Sequence, residues 1–257
     1  VEAWGGALAF SLELYFDFSG YSDMAIGLAR LFGIRLPINF NSPYKAANII
    51  DFWRRWHMTL VRFLRDYLYI PLGGNRKGSA RRYTNVMVVM LLGGLWHGAG
   101  WTFVIWGGIH GIFVLVYYVW HAVRRTLGFG DGEGSLGGRF AGWLLTFTCV
   151  VVAWVPFRAE SLDTTVTVLS GMAGLNGITL PAMLQSMVPS LAILPVTFSA
   201  SPYFQSPFSG PMIGALLLVA WLLPNTQEWM ARYRPSLARV PVKVGSPLSQ
   251  GMITFPK

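Results

Sequence analysis

Three of the four histidines, His57, His97 and His110, fall inside one stretch from Asp51 to Gly111. Neutral imidazole is the side chain best able to take a proton near neutral pH, and removal from water lowers its pKa and keeps it neutral. His97 stands among small residues in GGLWHGAG, where a substrate can approach the backbone closely. If the task is acyl transfer, the enzyme must deprotonate a hydroxyl as it attacks a thioester carbonyl, and His97 is the candidate base. His57, in RRWHM, is a candidate companion that orients donor or acceptor, or hydrogen-bonds the carbonyl. Each histidine also has a plainer reading as a structural group bonded to a carbonyl of another helix, and that reading is the stronger one for His57, His110 and His121. Metal binding has little support: His97 and His110 are 13 residues apart with no clustered acid or thiol, unlike the close ligand spacings of zinc sites. Cys149, the only cysteine, lies in LLTFTCVVVAW with nothing nearby in sequence to lower its pKa.

A second chemical feature is charge. From Lys45 to Arg82 nine Lys and Arg stand against Asp51 and Asp66. Arg54, Arg55, Arg62, Arg65, Arg76 and Lys77 suit the phosphates of a nucleotide-bearing donor such as coenzyme A, because guanidinium pairs bidentately with phosphate. Anionic lipid headgroups and a cytoplasmic, positive-inside face account for the same residues. The net charge of +9 does not point to nucleic acid, since it is concentrated in this block between membrane-length apolar runs. There is no GxxxxGK[ST] and no strand-borne GxGxxG to cradle phosphate in a glycine loop.

The elements that must position these groups are membrane helices. Hydrophobic residues make up 53% of the 257, and charged residues only 12%. No formal charge occurs between Arg82 and Arg124, between Arg139 and Arg158, or between Asp163 and Glu228. A hydrocarbon core of ~30 Å needs ~20 apolar residues as helix, so each run has room for a span. We expect an all-α, polytopic membrane protein forming a single membrane domain over residues 1–257. Residues 45–82 are a basic amphipathic helix at the interface followed by a loop, because Trp53, Trp56, Leu60, Phe63 and Tyr67 recur at three- and four-residue steps between arginines. Residues 83–123, as one helix, would be ~60 Å long, twice the membrane, and must break. Gly93, Gly94, Gly98 and Gly100 mark the break, leaving a short helix before His97 and a span from about Trp101 to Trp120. Residues 35–48, with Pro37 and Pro43, read as a surface loop. Glu13 and Asp17, four apart, read as a cavity wall or as an anchor to a neighbouring helix. The polar, glycine-rich residues 121–138 read as a loop, and residues 225–257 as a basic cytoplasmic tail ordered only in part.

Taken in order, YFDFSGYSDMAIGLARLFGIRLPINFNSPY, DFWRRWHMTLVRFLRDYLYIPLGGNRKG and LLGGLWHGAGWTFVIWGGIHG closely resemble the C-terminal half of the bacterial membrane-bound O-acyltransferases, nearest the branch that acetylates alginate and cellulose. VPFRAESLDTT and WLLPNTQEW are similar to later segments of that branch. The resemblance implies helices around a central funnel, with His97 matching the family's invariant histidine and His57 its second, Asn-or-His position. It implies acetyl-CoA as acyl donor with no bound cofactor. It further implies a multi-pass protein of the bacterial inner membrane that works with an exported polysaccharide or a periplasmic acetyl-transfer partner protein, and a chain that is one part of a longer protein. With His97 and His57 as the catalytic pair, Trp53, Trp96 and Trp101 become channel walls. Arg54, Arg55, Asp66 and Tyr67 become candidate donor or substrate contacts. Other acceptors, such as teichoic acid, lipid or protein, stay open, as does a transporter that uses the buried histidines as a gate.

Overall fold

A computed structural model describes residues 1–128, 135–182, 196–199, 208–231 and 236. Its long elements are α1 (Glu2–Leu31), α4 (Gly78–His97), α5 (Trp101–Thr126) and α6 (Leu136–Arg158). Short pieces lie between and after them: α2 (Ile49–Trp53), α3 (Met58–Leu64), α7 (Leu162–Met172), α8 (Ser209–Leu222) and α9 (Thr226–Trp229). The chain is mostly helical, with one departure from the all-α expectation. Thr179–Pro181 and Thr197–Ser199 pair as two short parallel strands, β1 and β2. Both α5 and α6 are long and apolar enough to cross a membrane. The 14-residue α8 is shorter than a span, and most of the 225–257 tail lies outside the described residues.

Packing follows from the apolar stripes. α4 lies against α5, α5 against α6, and α1 against α6, α7 and α8. The core gathers Phe52, Trp53, Trp56, Tyr44, Val86, Val114, Phe147, Val151 and Trp154, most of them aromatic. Apolar side chains such as Ile112, Val116, Val119, Trp120 and Leu145 remain exposed on the outer faces, as expected where lipid or further protein is the neighbour. Glu13 and Asp17 also face outward from α1, away from this core.

Three expectations are corrected. First, Gly93 and Gly94 do not break the helix before His97; α4 runs without interruption through both, and the break is confined to Gly98–Gly100. The glycines are there for close approach: a Cβ on Gly94 would sit 2.3 Å from the Phe103 carbonyl oxygen, and one on Gly107 would sit 2.2 Å from that of Met90. Only hydrogen at these positions lets the two backbones touch. Second, the loop expected at the surface is central. Ile38, Phe40, Asn41, Ser42, Pro43, Tyr44 and Ala46 are buried, and side chains from distant elements satisfy or anchor them. Tyr44 donates to the Ser11 carbonyl at 2.6 Å, Trp143 donates to the Tyr44 carbonyl at 2.9 Å, and Asn225 reaches both Asn41 and Ser42 at 2.9 Å. Polar residues read as loop because their partners lie elsewhere in the chain. Third, α5 continues to Thr126, so His121 is helical and not in a loop, while residues 129–134 lie outside the described residues.

Candidate active site

The amphipathic stretch 51–69 is not one helix. It divides at His57, whose backbone is left-handed, φ 43° and ψ 51°. A non-glycine residue in that region costs roughly 1–2 kcal/mol, so the surroundings must hold it there. They do so through the buried loop. The Met58 N–H donates to the Asn39 carbonyl at 2.9 Å, and the Asn41 N–H to the Arg55 carbonyl at 2.9 Å. The Asn39 side-chain oxygen accepts from the Thr59 N–H at 3.3 Å and from the Thr59 hydroxyl at 2.8 Å. It therefore caps α3 in place of a local N-cap side chain. The same oxygen lies 3.2 Å from His57 Nδ1. An amide oxygen only accepts, so the neutral ring carries its proton on Nδ1 and leaves the Nε2 lone pair free. His57 lies outside both candidate spans; burial first, and the neighbouring His97 second, push its pKa down to about 4. The ring is therefore neutral at pH 7.

This arrangement makes Asn39→Ala informative. Loss of a helix cap costs about 1 kcal/mol, and here it also removes the group that fixes the His57 tautomer. The expected result is a modest drop in melting temperature with a larger drop in turnover than that drop explains, read by thermal unfolding and by rate on the same preparation. Unchanged turnover would show that His57 needs no orientation.

His97 is the last residue of α4. Helical side chains lean toward the N-terminus, so its ring tips back over the preceding turn and meets Trp106 of the returning helix, with centroids 5.1 Å apart and planes at 85°. Phe157 of α6 closes a second side at 5.1 Å, and Trp96 a third at 5.0 Å. The Trp96 ring also lies 6.3 Å from that of His57, which packs edge-on against Phe18 of α1 at 4.9 Å. Among the described residues His97 makes no hydrogen bond, and it lines a cleft of about 650 Å³ counted out to its open mouth. Trp53, Leu64, Gly93 and Trp106 line this cleft too, and Arg65 and Tyr69 bring its other polar groups. Those last two belong to a π-helical turn, Arg65–Tyr69, closed by the Ile70 N–H on the Arg65 carbonyl at 2.9 Å. Such turns within helices often accompany functional sites.

The other residues expected at the site fall as follows. Trp53 shares the cleft with His97. Trp96 is 61% exposed and covers the histidine pair from outside, whereas Trp101, 73% exposed, points outward at the start of α5. Arg54 is half-buried at the end of α2. Arg55 is engaged by Asp51 at 2.9 Å. Asp66 pairs with Arg65 at 2.7 Å, which holds its carboxyl below the usual carboxylate range. Tyr67 is exposed and packs on Phe63, away from the cleft. Trp106, Phe157 and Asn39 were not singled out from the sequence. Trp106 was legible only as one tryptophan among 11, and Asn39 as one loop asparagine. Among the described residues no three of His, Cys, Asp and Glu gather closely enough to hold a metal ion.

The sequence profile of the membrane-bound O-acyltransferase family matches residues 2–155, which carry every one of these groups except Phe157. The chain belongs to this family. Among curated relatives, the peptidoglycan O-acetyltransferase of Helicobacter pylori is 54% identical over 180 residues, 70% of this chain and 33% of that protein. The Azotobacter vinelandii protein named "Probable alginate O-acetylase AlgI" is 47% identical over 192 residues, 75% of this chain and 37% of that protein. The teichoic acid D-alanyltransferase of Bacillus subtilis is 36% identical over 115 residues, 42% of this chain and 29% of that protein. The chain thus spans about a third of the length of the first two of these acyltransferases.

Proposed function

We propose that this chain carries the reaction centre of a multi-pass O-acetyltransferase of the bacterial inner membrane, which moves acetyl from acetyl-CoA to hydroxyls of an exported envelope glycan, directly or through an extracytoplasmic partner protein. The observation that carries the reading is the placement of His97: it ends a helix at a break, without a hydrogen-bond partner among the described residues, in an apolar cleft beside a second neutral histidine. Irregular backbone at membrane depth is tolerated where it lines a cavity, and an acyl-transfer base needs that location. The names of the relatives supply the acceptor class, since peptidoglycan and alginate are both exported glycans. A transporter reading loses its footing once the chain belongs to an acyltransferase family.

In this mechanism His97 takes the proton of the attacking hydroxyl as its oxygen adds to the thioester carbon. The tetrahedral adduct collapses by breaking the C–S bond, and the imidazolium returns its proton to the leaving thiolate. His57, with its Nδ1 proton committed to Asn39, offers the Nε2 lone pair to a second, neighbouring hydroxyl of the acceptor and so aims the hydroxyl that gives its proton to His97. The arginines between residues 54 and 82 hold the phosphates of the donor or the headgroups of the cytoplasmic leaflet.

His57→Ala should then raise the acceptor KM and lower kcat together, by about tenfold to a hundredfold in kcat/KM. His57→Asn should lose less, since a side-chain amide can still present an acceptor. Steady-state kinetics on full-length protein test this, and His57→Ala with wild-type constants would remove His57 from the site.

A further inference from the structure

His110 is fully buried, and among the described residues neither of its ring nitrogens has a hydrogen-bond partner. The indole N–H groups of Trp53 and Trp106, both against it, are also buried without acceptors among the described residues. Leaving such a group unpaired costs ≈ 1–3 kcal/mol, and a phenyl ring in place of the imidazole would remove two unpaired atoms. A purely structural site would therefore be served better by phenylalanine.

The packing shows what an imidazole does that phenyl does not. Its plane is parallel to Phe52 within 10° at 6.1 Å, and it meets Trp53 at 4.9 Å and 75° and Trp106 at 5.0 Å and 66°. A neutral imidazole has one N–H edge and one lone-pair edge, so it addresses the negative face of one aromatic ring and the positive rim of another. Of the three indoles around it, Trp53 and Trp106 line the cleft, and Trp106 is the ring against which His97 rests. One aromatic ring separates the two histidines.

We infer that His110 is a positioning residue for acyl transfer: through its polar edges it sets the planes of Trp106 and Trp53, and through Trp106 the orientation of His97. This rests on the acyltransferase reading for its kinetic consequence but not for its geometric one.

The test compares His110→Phe and His110→Asn with wild type in the full-length, membrane-embedded protein. Two readouts are used: acetyl-transfer kinetics with their pH profile, and the rate at which diethyl pyrocarbonate modifies His97, followed by peptide mass spectrometry. We expect His110→Phe to retain wild-type thermal stability or gain some, to lose about tenfold to a hundredfold in kcat with KM for acetyl-CoA little changed, to shift the pH profile, and to alter the His97 modification rate. His110→Asn, which keeps a donor and an acceptor, should recover part of each. Wild-type kcat, pH profile and His97 modification rate in His110→Phe would overturn the inference and leave His110 as packing. If His110→Phe fails to assemble, wild-type values of all three in His110→Asn would overturn it equally. If wild type itself transfers no acetyl, the functional reading fails, and the His97 modification rate still decides the positioning role.

Discussion

We expect His97→Ala in the full-length protein to lower kcat for acetyl transfer by about 10²–10⁴-fold, the usual contribution of a positioned general base, and to leave KM for the donor nearly unchanged. The geometry limits the collateral damage. His97 is the C-terminal residue of α4, is half-buried, and makes no hydrogen bond among the described residues, so truncation creates little unpaired polarity. Its ring contacts with Trp96, Trp106 and Phe157 are edge-on at about 5 Å; they orient the imidazole more than they support the helix. Membrane insertion and melting temperature should stay close to wild type, and His97→Gln, which fills the same space without a basic nitrogen, should be equally inactive. Alkali-labile acetate on the envelope glycan, measured beside protein abundance in membranes, checks both halves. Normal abundance with normal acetate would remove His97 from the chemistry. Low abundance in both variants would mean that the ring is part of the scaffold.

Gly107→Ala should lower activity by a different route. The added Cβ would lie 2.2 Å from the Met90 carbonyl oxygen, 3.0 Å from its carbon and 3.2 Å from the Gly94 Cα. These are backbone atoms of the facing helix, so no flexible side chain can move aside. α4 and α5 must separate, at a cost typical of overpacking, about 1–3 kcal/mol or more, and Trp106 moves with its neighbour away from His97. Gly108→Ala is the matched control, because a Cβ there meets only a Leu91 methyl at 3.5 Å, an ordinary contact. We expect a lowered melting temperature and a turnover loss of about a hundredfold for Gly107→Ala, and near wild-type values for Gly108→Ala. Equal behaviour of the two would mean that the α4–α5 approach is looser than described.

The two glycine pairs show what was legible in the sequence and what was not. That residues 83–123 must break followed from length and charge alone, and the glycines on either side of His97 put the break beside it. Which glycines break the helix did not: Gly93 and Gly94 lie inside α4 and Gly98 just after it, and glycine serves a close helix contact as readily as a break. Only the position of Phe103 and Gly107 on the returning helix, against Gly94, separates the two uses. The turn at His57 was hidden for a related reason. The apolar stripe from Trp53 to Tyr67 keeps helical spacing through the turn, and the residue that caps α3, Asn39, is 18 positions before His57. Periodicity reads neighbours along the chain, and this cap comes from across it. Residues 38–46 misled through composition, since proline and asparagine mark exposed loops unless distant partners take up their polar groups. Here Ser11, Trp143 and Asn225 belong to those partners. Trp53 with His97 in one cleft was within reach of the sequence; Trp106 and Phe157 were not, because ring contacts across three helices leave no spacing signal.

The most direct test of the acyl-transfer account is the transfer of acetyl-labelled acetyl-CoA in membranes bearing the full-length protein, wild type beside His97→Ala at equal abundance. The account predicts label in the glycan fraction or on a partner protein with wild type and only background with His97→Ala. Label moving at the same rate with both would contradict it and return His97 to a structural role.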